Sequence, residues 1–198
     1  MKLLALDTST NACAVAMWVD GAVHEQFEFA QQSARILPMV DAVLAEAGLS
    51  LAQLDAIAFG RGPGSFTGLR IAAGVVQGLA FGADLPVVPV SSLAVLANGQ
   101  KAPRVLAAFD ARIQQVYWGA YVRNAEGIVE LQGEEGVYAP RQIPLPEGAG
   151  WVGAGSGWDQ YADALVTHLG THVTEWRKQC FPHARDVAEL GVVGFKQG

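Results

Sequence analysis

Residues 3–19, LLALDTSTNACAVAMWV, lie without a gap over residues 106–122, LAAFDARIQQVYWGAYV. Asp7 falls on Asp110, Trp18 on Tyr121 and Val19 on Val122. Identity between the two stretches is low, but the shared order is specific. A strand-like apolar run ends in an aspartate, a short loop follows, then an aromatic-bearing strand and a turn. The turn is Asp20-Gly21 in the first copy and residues 124–127 in the second. A repeat of this kind predicts two related α/β halves. The linker-like composition of NGQKAPR, residues 98–104, puts their boundary near residue 100, giving halves over 1–100 and 101–198.

The rest of the pattern fills in these halves. Strands are expected over 2–7, 12–19, 22–29, 55–59 and 85–90, and a further strand-like run, WVGA, begins at Trp151. Helices are expected over 33–47, from the glycine stretch to 81, over 92–97, 158–169 and 184–195, with Pro38 in or near the first turn of its helix. Ser50-Leu51-Ala52-Gln53 has the spacing of a capping box. Hydrophobic residues make up 51% of the chain and charged ones 16%, which suits a packed core and argues against disorder. The 19 acidic against 13 basic residues leave a net charge of -6 with no basic run. Any RNA that this chain serves is therefore expected to be held by another molecule. Cys13 and Cys180 form no CxxC motif, and no stretch reads as long and uninterrupted enough to cross a bilayer. A reducing, cytoplasmic location is expected.

GRGPGSFTGLRIAAG, residues 60–74, resembles a phosphate loop opening a helix. It lacks the Walker A spacing and its Lys-Ser/Thr pair, and Thr67 stands where a third Rossmann glycine belongs. Gly60, Gly62 and Gly64 instead suit a tight, closely packed turn, with Ser65 or Thr67 capping the helix. Such a helix start attracts anions, but phosphate binding by this loop alone is the weaker reading.

The helix after that loop is apolar nearly all round, and only Arg70 and Gln77 are strongly polar. Gly68, Ala72, Gly74 and Gly78 would let another helix come close. The preceding helix carries one apolar stripe at Leu37, Val40, Leu44 and Ala47 and a second at Ile36, Met39 and Val43. One stripe serves the core, and the surplus is expected to meet a partner. The expected interface is Ile36, Met39, Val43, Leu69, Arg70, Ala72, Ala73, Gly74, Val76 and Gln77. Arginine at Ala72 or Gly74 is expected to abolish pairing while the monomer stays folded.

Other chemistry is thinner. Asp7, Thr8 and Ser9 at a strand end can organise a metal-bound phosphate, or can simply form a turn that satisfies its own amides. Asp110, Gly153 and Gly155 are the matching candidates in the second half. His168 and His172 have i, i+4 spacing, but Gly170 marks a helix end there and two surface histidines are the better reading. No metal site is expected, and no catalytic set stands out.

The segments LLALDTSTNACAVAMW, RILPMV, GRGPGSFTGLRIAAGVVQGLA, VLAAFDARIQQVYW and, more loosely, WVGAGSGW resemble the bacterial TsaB (YeaZ) family. The resemblance is strongest over about the first 120 residues. It implies an ASKHA fold (actin-like ATPase, RNase H-like), two related halves each with a mixed sheet flanked by helices. It also implies a non-catalytic role in placing N6-threonylcarbamoyladenosine beside the tRNA anticodon. The implied partners are the TsaD transferase and the TsaE ATPase, with a homodimer forming in the absence of TsaD and tRNA reached only through the complex. The implied contact surface is the pair of helices at 33–47 and 67–81. No cofactor is implied for the chain alone, and ATP or ADP with Mg2+ is expected to bind weakly, at the complex. The HxxxH metal motif of TsaD relatives is not matched, and residues 31–35 read QQSAR where relatives often have a histidine. Relatives also run longer and end in Pro-x-Tyr-Leu-Arg, which points to a shortened second half. The rival reading within the same fold is an ATPase or phosphotransferase using Asp7, Thr8, Asp110 and residues 153–157.

Overall fold

A computed structural model describes residues 1–29 and 31–198. The elements run β1 (Lys2–Asp7), β2 (Cys13–Val19), β3 (Ala22–Glu28), α1 (Gln32–Ala47), β4 (Ala56–Gly60), α2 (Phe66–Ala83), β5 (Val87–Val90) and α3 (Ser92–Gly99). There follow β6 (Arg104–Arg112), β7 (Gln115–Arg123), β8 (Val129–Tyr138), β9 (Trp151–Ala154), α4 (Ser156–Leu169), β10 (Val173–Arg177) and α5 (Ala184–Gln197). They form two compact units: Met1–Val95 with Pro182–Gly198, and Leu96–Phe181.

The two sheets have the same strand order. The first is β3-β2-β1-β4-β5 and the second, read in the same sense, is β8-β7-β6-β9-β10. In each, the first three strands along the chain pair antiparallel, and the fourth and fifth join in parallel. The repeat in the sequence is thus a repeat of topology. Its ungapped overlay needs one correction. Asp7 pairs with Ala14 across the first hairpin and Asp110 with Val116 across the second, so the second loop is one residue shorter. Trp18 pairs with Leu3, but Ala120, not Tyr121, pairs with Leu106. A one-residue slip moves a side chain to the opposite face of a strand, so Tyr121 is not the counterpart of Trp18.

In the first unit, β1 feeds two cores by strict alternation. Leu4 and Leu6 pack with Ile36, Met39, Val43 and Leu44 of α1 and with Ala72, Val76 and Ala80 of α2. Leu3 and Ala5 face the other way, into Ala184, Val187, Ala188 and Val192 of α5. This second face is lined by small residues (Ala14, Ala16, Ala56 and Ala58), which lets α5 come close. A Cβ on Gly191 would stand 2.5 Å from that of Ala58. The expected second half, 101–198, is therefore corrected at its end: α5 completes the first unit, because that alanine-lined face is what buries its apolar stripe.

In the second unit, Trp118, Trp151 and Trp158 pack with Leu106, Leu165 and Leu169 between α4 and the sheet. Strands β8 and β10 were not anticipated. β10 (VTEWR) is half-buried to exposed throughout, so it lacks the alternation that marks a strand. Pro38 lies well inside α1 rather than in its first turn. The hairpin turn Asp20-Gly21 has φ of 49° and 100°, as a type I′ turn requires.

Candidate functional site

The Asp7–Ala12 turn lies under the glycine stretch. Asp7 is buried, and its Oδ1 accepts from the backbone N–H and the hydroxyl of Ser9, at 2.8 and 2.7 Å. Its Oδ2 accepts from Ser92 Oγ at 3.0 Å. Burial pushes the carboxyl above its ordinary pKa, against the three hydrogen bonds that hold it down. The glycines supply room for this turn. A Cβ on Gly60 would lie 1.8 Å from Asp7 Oδ2, one on Gly64 2.3 Å from Ser9 O, and one on Gly68 1.8 Å from Thr8 O. Thr8 Oγ1 donates to Gly68 O at 2.7 Å, and Ser65 N donates to Ser9 O at 2.6 Å. The loop thus closes on a protein turn, and Ser65 also caps α2 by accepting from Gly68 N. The polar groups of Asp7, Thr8 and Ser9 are engaged within the chain.

No sequence signal marks the residue that completes this arrangement. Gln32, the first residue of α1, turns its Nε2 to the carbonyls of Thr8, Thr10 and Ala12. Carbonyls only accept, so the amide nitrogen, not its oxygen, must face them.

Asp110, Gly153 and Gly155 come together in the second unit. Asp110 Oδ1 accepts from Arg112 N at 2.9 Å and from Tyr161 OH at 3.3 Å, and its backbone N–H donates to Ser156 Oγ. A Cβ on Gly153 would stand 2.3 Å from the Trp158 ring, and one on Gly155 2.3 Å from Ala108 O. These glycines serve close packing of β9 and α4. His168 Nε2 lies 2.9 Å from Ile143 O and His172 Nδ1 2.6 Å from Gly148 O. Both therefore carry N–H at those atoms and pin the segment before β9.

The surplus apolar surface lies on α2. Every fourth residue, Gly68, Ala72, Val76 and Ala80, is buried against the first sheet. The opposite face exposes Arg70, Ala73, Gly74, Gln77, Gly78, Phe81 and Gly82. Phe66 is 69% exposed and Phe81 91%, and the Arg70 guanidinium lies 4.0 Å from the centre of the Phe66 ring. A Cβ on Gly74, Gly78 or Gly82 would meet nothing within 4 Å. Each glycine in an exposed helix costs about 1 kcal/mol relative to alanine, and nothing inside this chain accounts for three of them. By length and composition alone, Phe66–Ala83 is long and apolar enough to cross a membrane, a property that core helices of globular proteins share. Its inner ridge, Gly68, Ala72, Val76 and Ala80, is built into the core of the first unit.

The expected interface is corrected in part. Ile36, Met39 and Val43 are at most 1% exposed, and Ala72 and Val76 at most 2%. They are core, because positions 36, 39, 40, 43 and 44 form one wide stripe rather than two. Leu69 is half-buried. Arg70, Ala73, Gly74 and Gln77 are exposed as expected, as is Gly78, while Leu37, Phe66 and Phe81 were not among the interface residues expected. Since Ala72 is buried, arginine there would break the fold, and only the Gly74 substitution tests the surface.

The family model described as "TsaD: tRNA N6-adenosine threonylcarbamoyltransferase" matches residues 27–154. The tRNA threonylcarbamoyladenosine biosynthesis protein TsaB of Escherichia coli is 46% identical over 100% of this chain and 89% of its own length. The crystal structure of YeaZ from Pseudomonas aeruginosa is 45% identical, covering 100% of this chain and 93% of that one, with a TM-score of 0.91. A ROK hexokinase from Thermus thermophilus, 13% identical with a TM-score of 0.53 over 98% of this chain and 99% of its own, shares the fold alone. The two repeated mixed sheets are therefore those of the ASKHA fold. On identity and coverage together, the chain belongs to the TsaB family, itself related to the TsaD threonylcarbamoyltransferases.

Proposed function

We propose that this chain is a non-catalytic subunit in the synthesis of tRNA N6-threonylcarbamoyladenosine beside the anticodon, and that it lends the outer face of α2, with Leu37 of α1, to the transferase TsaD. The exposed Gly74-Gly78-Gly82 line, with Phe66 and Phe81 near its two ends, carries this reading. It allows close backbone approach by another helix and offers aromatic anchors at both ends. The family relationship to TsaD supports a partner of the same fold. Without TsaD the same face pairs two copies of this chain. TsaE joins the assembly, ATP or ADP with Mg2+ binds weakly and only there, and tRNA is held by the other subunits. The acidic balance of the chain agrees with the last point. The work is done in the cytoplasm.

The test is reconstitution with TsaD, TsaE, tRNA and threonylcarbamoyl-adenylate. Gly74→Arg is expected to keep the fold, lose the TsaD complex in light scattering and abolish modification. Full modification with this variant would overturn the docking reading. Tight binding and turnover of Mg-ATP by the isolated chain, measured by titration calorimetry, would favour the ATPase instead.

A further inference from the structure

We infer that Gln32 is a positioning residue that sets the docking face by tying the starts of α1 and α2 to one shared turn. The inference rests on the docking reading above. α1 has no side-chain cap. The Gln32 amide ties its first turn to the Asp7 turn, its Nε2 reaching Thr8 O at 3.2 Å, Ala12 O at 2.8 Å and also Thr10 O, while Arg35 pairs with Glu28 of β3 at the surface. The same few residues hold α2. Thr8 Oγ1 donates to Gly68 O in the first turn of α2, and Ser9 O accepts from Ser65 N at its cap. Gln32 Oε1 lies 3.2 Å from where a Cβ on Gly68 would stand, so a side chain at position 68 would crowd the Gln32 amide beside the first turn of α2.

The consequence is geometric. Leu37 on α1 and Phe66, Arg70 and Gly74 on α2 must be presented together, and both helices start at this turn. A partner that packs against a glycine line needs close approach, and small displacements at such a contact are costly. The carbonyls of Thr8, Thr10 and Ala12 converge on one donor position, which the two amide hydrogens of Gln32 fill only in part. An ammonium has three N–H donors and suits three acceptors better.

The experiment compares Gln32→Ala, the isosteric Gln32→Met and Gln32→Lys in the full chain, with Gly74→Arg as a control for docking. Amide hydrogen exchange is read on the first turns of both helices, and TsaD binding by titration. Gln32→Ala and Gln32→Met are expected to lose protection in residues 65–70 as well as 32–37, with residues 104–177 unchanged. They should weaken TsaD binding by about tenfold, the scale of one or two net hydrogen bonds. Gln32→Lys should restore both readouts. Loss of protection confined to α1 would overturn the inference, since a purely local anchor would do only that. So would unchanged affinity for either variant while Gly74→Arg abolishes binding. If Gly74→Arg leaves binding intact, the docking reading fails, and the exchange pattern still decides whether Gln32 couples the two helix starts.

Discussion

α2 and α4 occupy the same place in the two units. Each follows a glycine turn at the end of the parallel strand beside the central one, and each lays one ridge on its sheet. They differ on the outside. α4 exposes Asp159, Gln160, Asp163 and Thr167, as a surface helix should. α2 exposes Ala73, Gly74, Gln77, Gly78, Phe81 and Gly82. The fold needs only the inner ridge, because α4 completes its unit with a polar exterior. The apolar exterior of α2 is an addition, which the docking proposed above would account for.

The strongest way to break this comparison is to place charge on both helices. Ala72→Arg on the inner ridge of α2 should prevent folding, since a buried unpaired charge costs at least about 4 kcal/mol, and a cooperative thermal transition would refute the packing described. Gly74→Arg should fold and fail to pair, while Asp163→Arg on α4 should fold and pair normally. Equal loss of pairing by both surface variants, seen in light scattering, would mean that the two exteriors are not distinct.

Replacing Gly74, Gly78 and Gly82 together by alanine sharpens the contrast. Each added methyl meets open space, so the monomer should gain about 2–3 kcal/mol in denaturant unfolding from helix propensity. TsaD binding should weaken at the same time, because the methyls hold the partner away. Gain in stability without loss of affinity would leave the glycines unexplained.

The smallest effects separate two carboxylates of the first unit by the sign of their pH dependence. Burial holds the Asp7 pKa up, so its folded form favours the proton. The stability of the native chain relative to Asp7→Asn should be greatest below about pH 4, where the unfolded aspartate also holds its proton, and should fall as pH rises through the raised folded value. Burial also raises Glu25, but the hydrogen bonds from His183 and Arg185 N outweigh it and its net shift is downward. The advantage over Glu25→Gln, about 1–2 kcal/mol at neutral pH, should shrink as pH falls through the carboxylate range. Thermal melts from pH 4 to 7 read both, and slopes of the same sign would contradict the environments described.

Much of the fold was legible because local signals and long-range order agreed. The repeated strand-aspartate-loop-strand pattern, the Asp20-Gly21 turn and the helices at 33–47 and 67–81 all reflect periodicity or turn chemistry that acts over a few residues. The interface was half legible for a related reason. Periodicity revealed that α2 had more apolar surface than one ridge needs, but it could not tell inside from outside, so Ala72 and Val76 were grouped with Ala73 and Gly74. Gln32 left no trace, since a glutamine at a helix start looks like any solvated residue until the three carbonyls it meets are brought beside it.

The amino-acid order by itself determined that there are two halves, where their helices and all strands but β8 and β10 lie, and that one helix is too apolar for its place. These follow from side-chain spacing and turn preference, which are properties of neighbours along the chain. Only the tertiary structure decided that α5 returns to the first sheet, that the glycine loop closes on the Asp7 turn, and that both stripes of α1 merge into one buried face with Leu37 left outside. Each of those depends on contacts between residues far apart in sequence, where shape and room for a Cβ, rather than pattern, choose the neighbour.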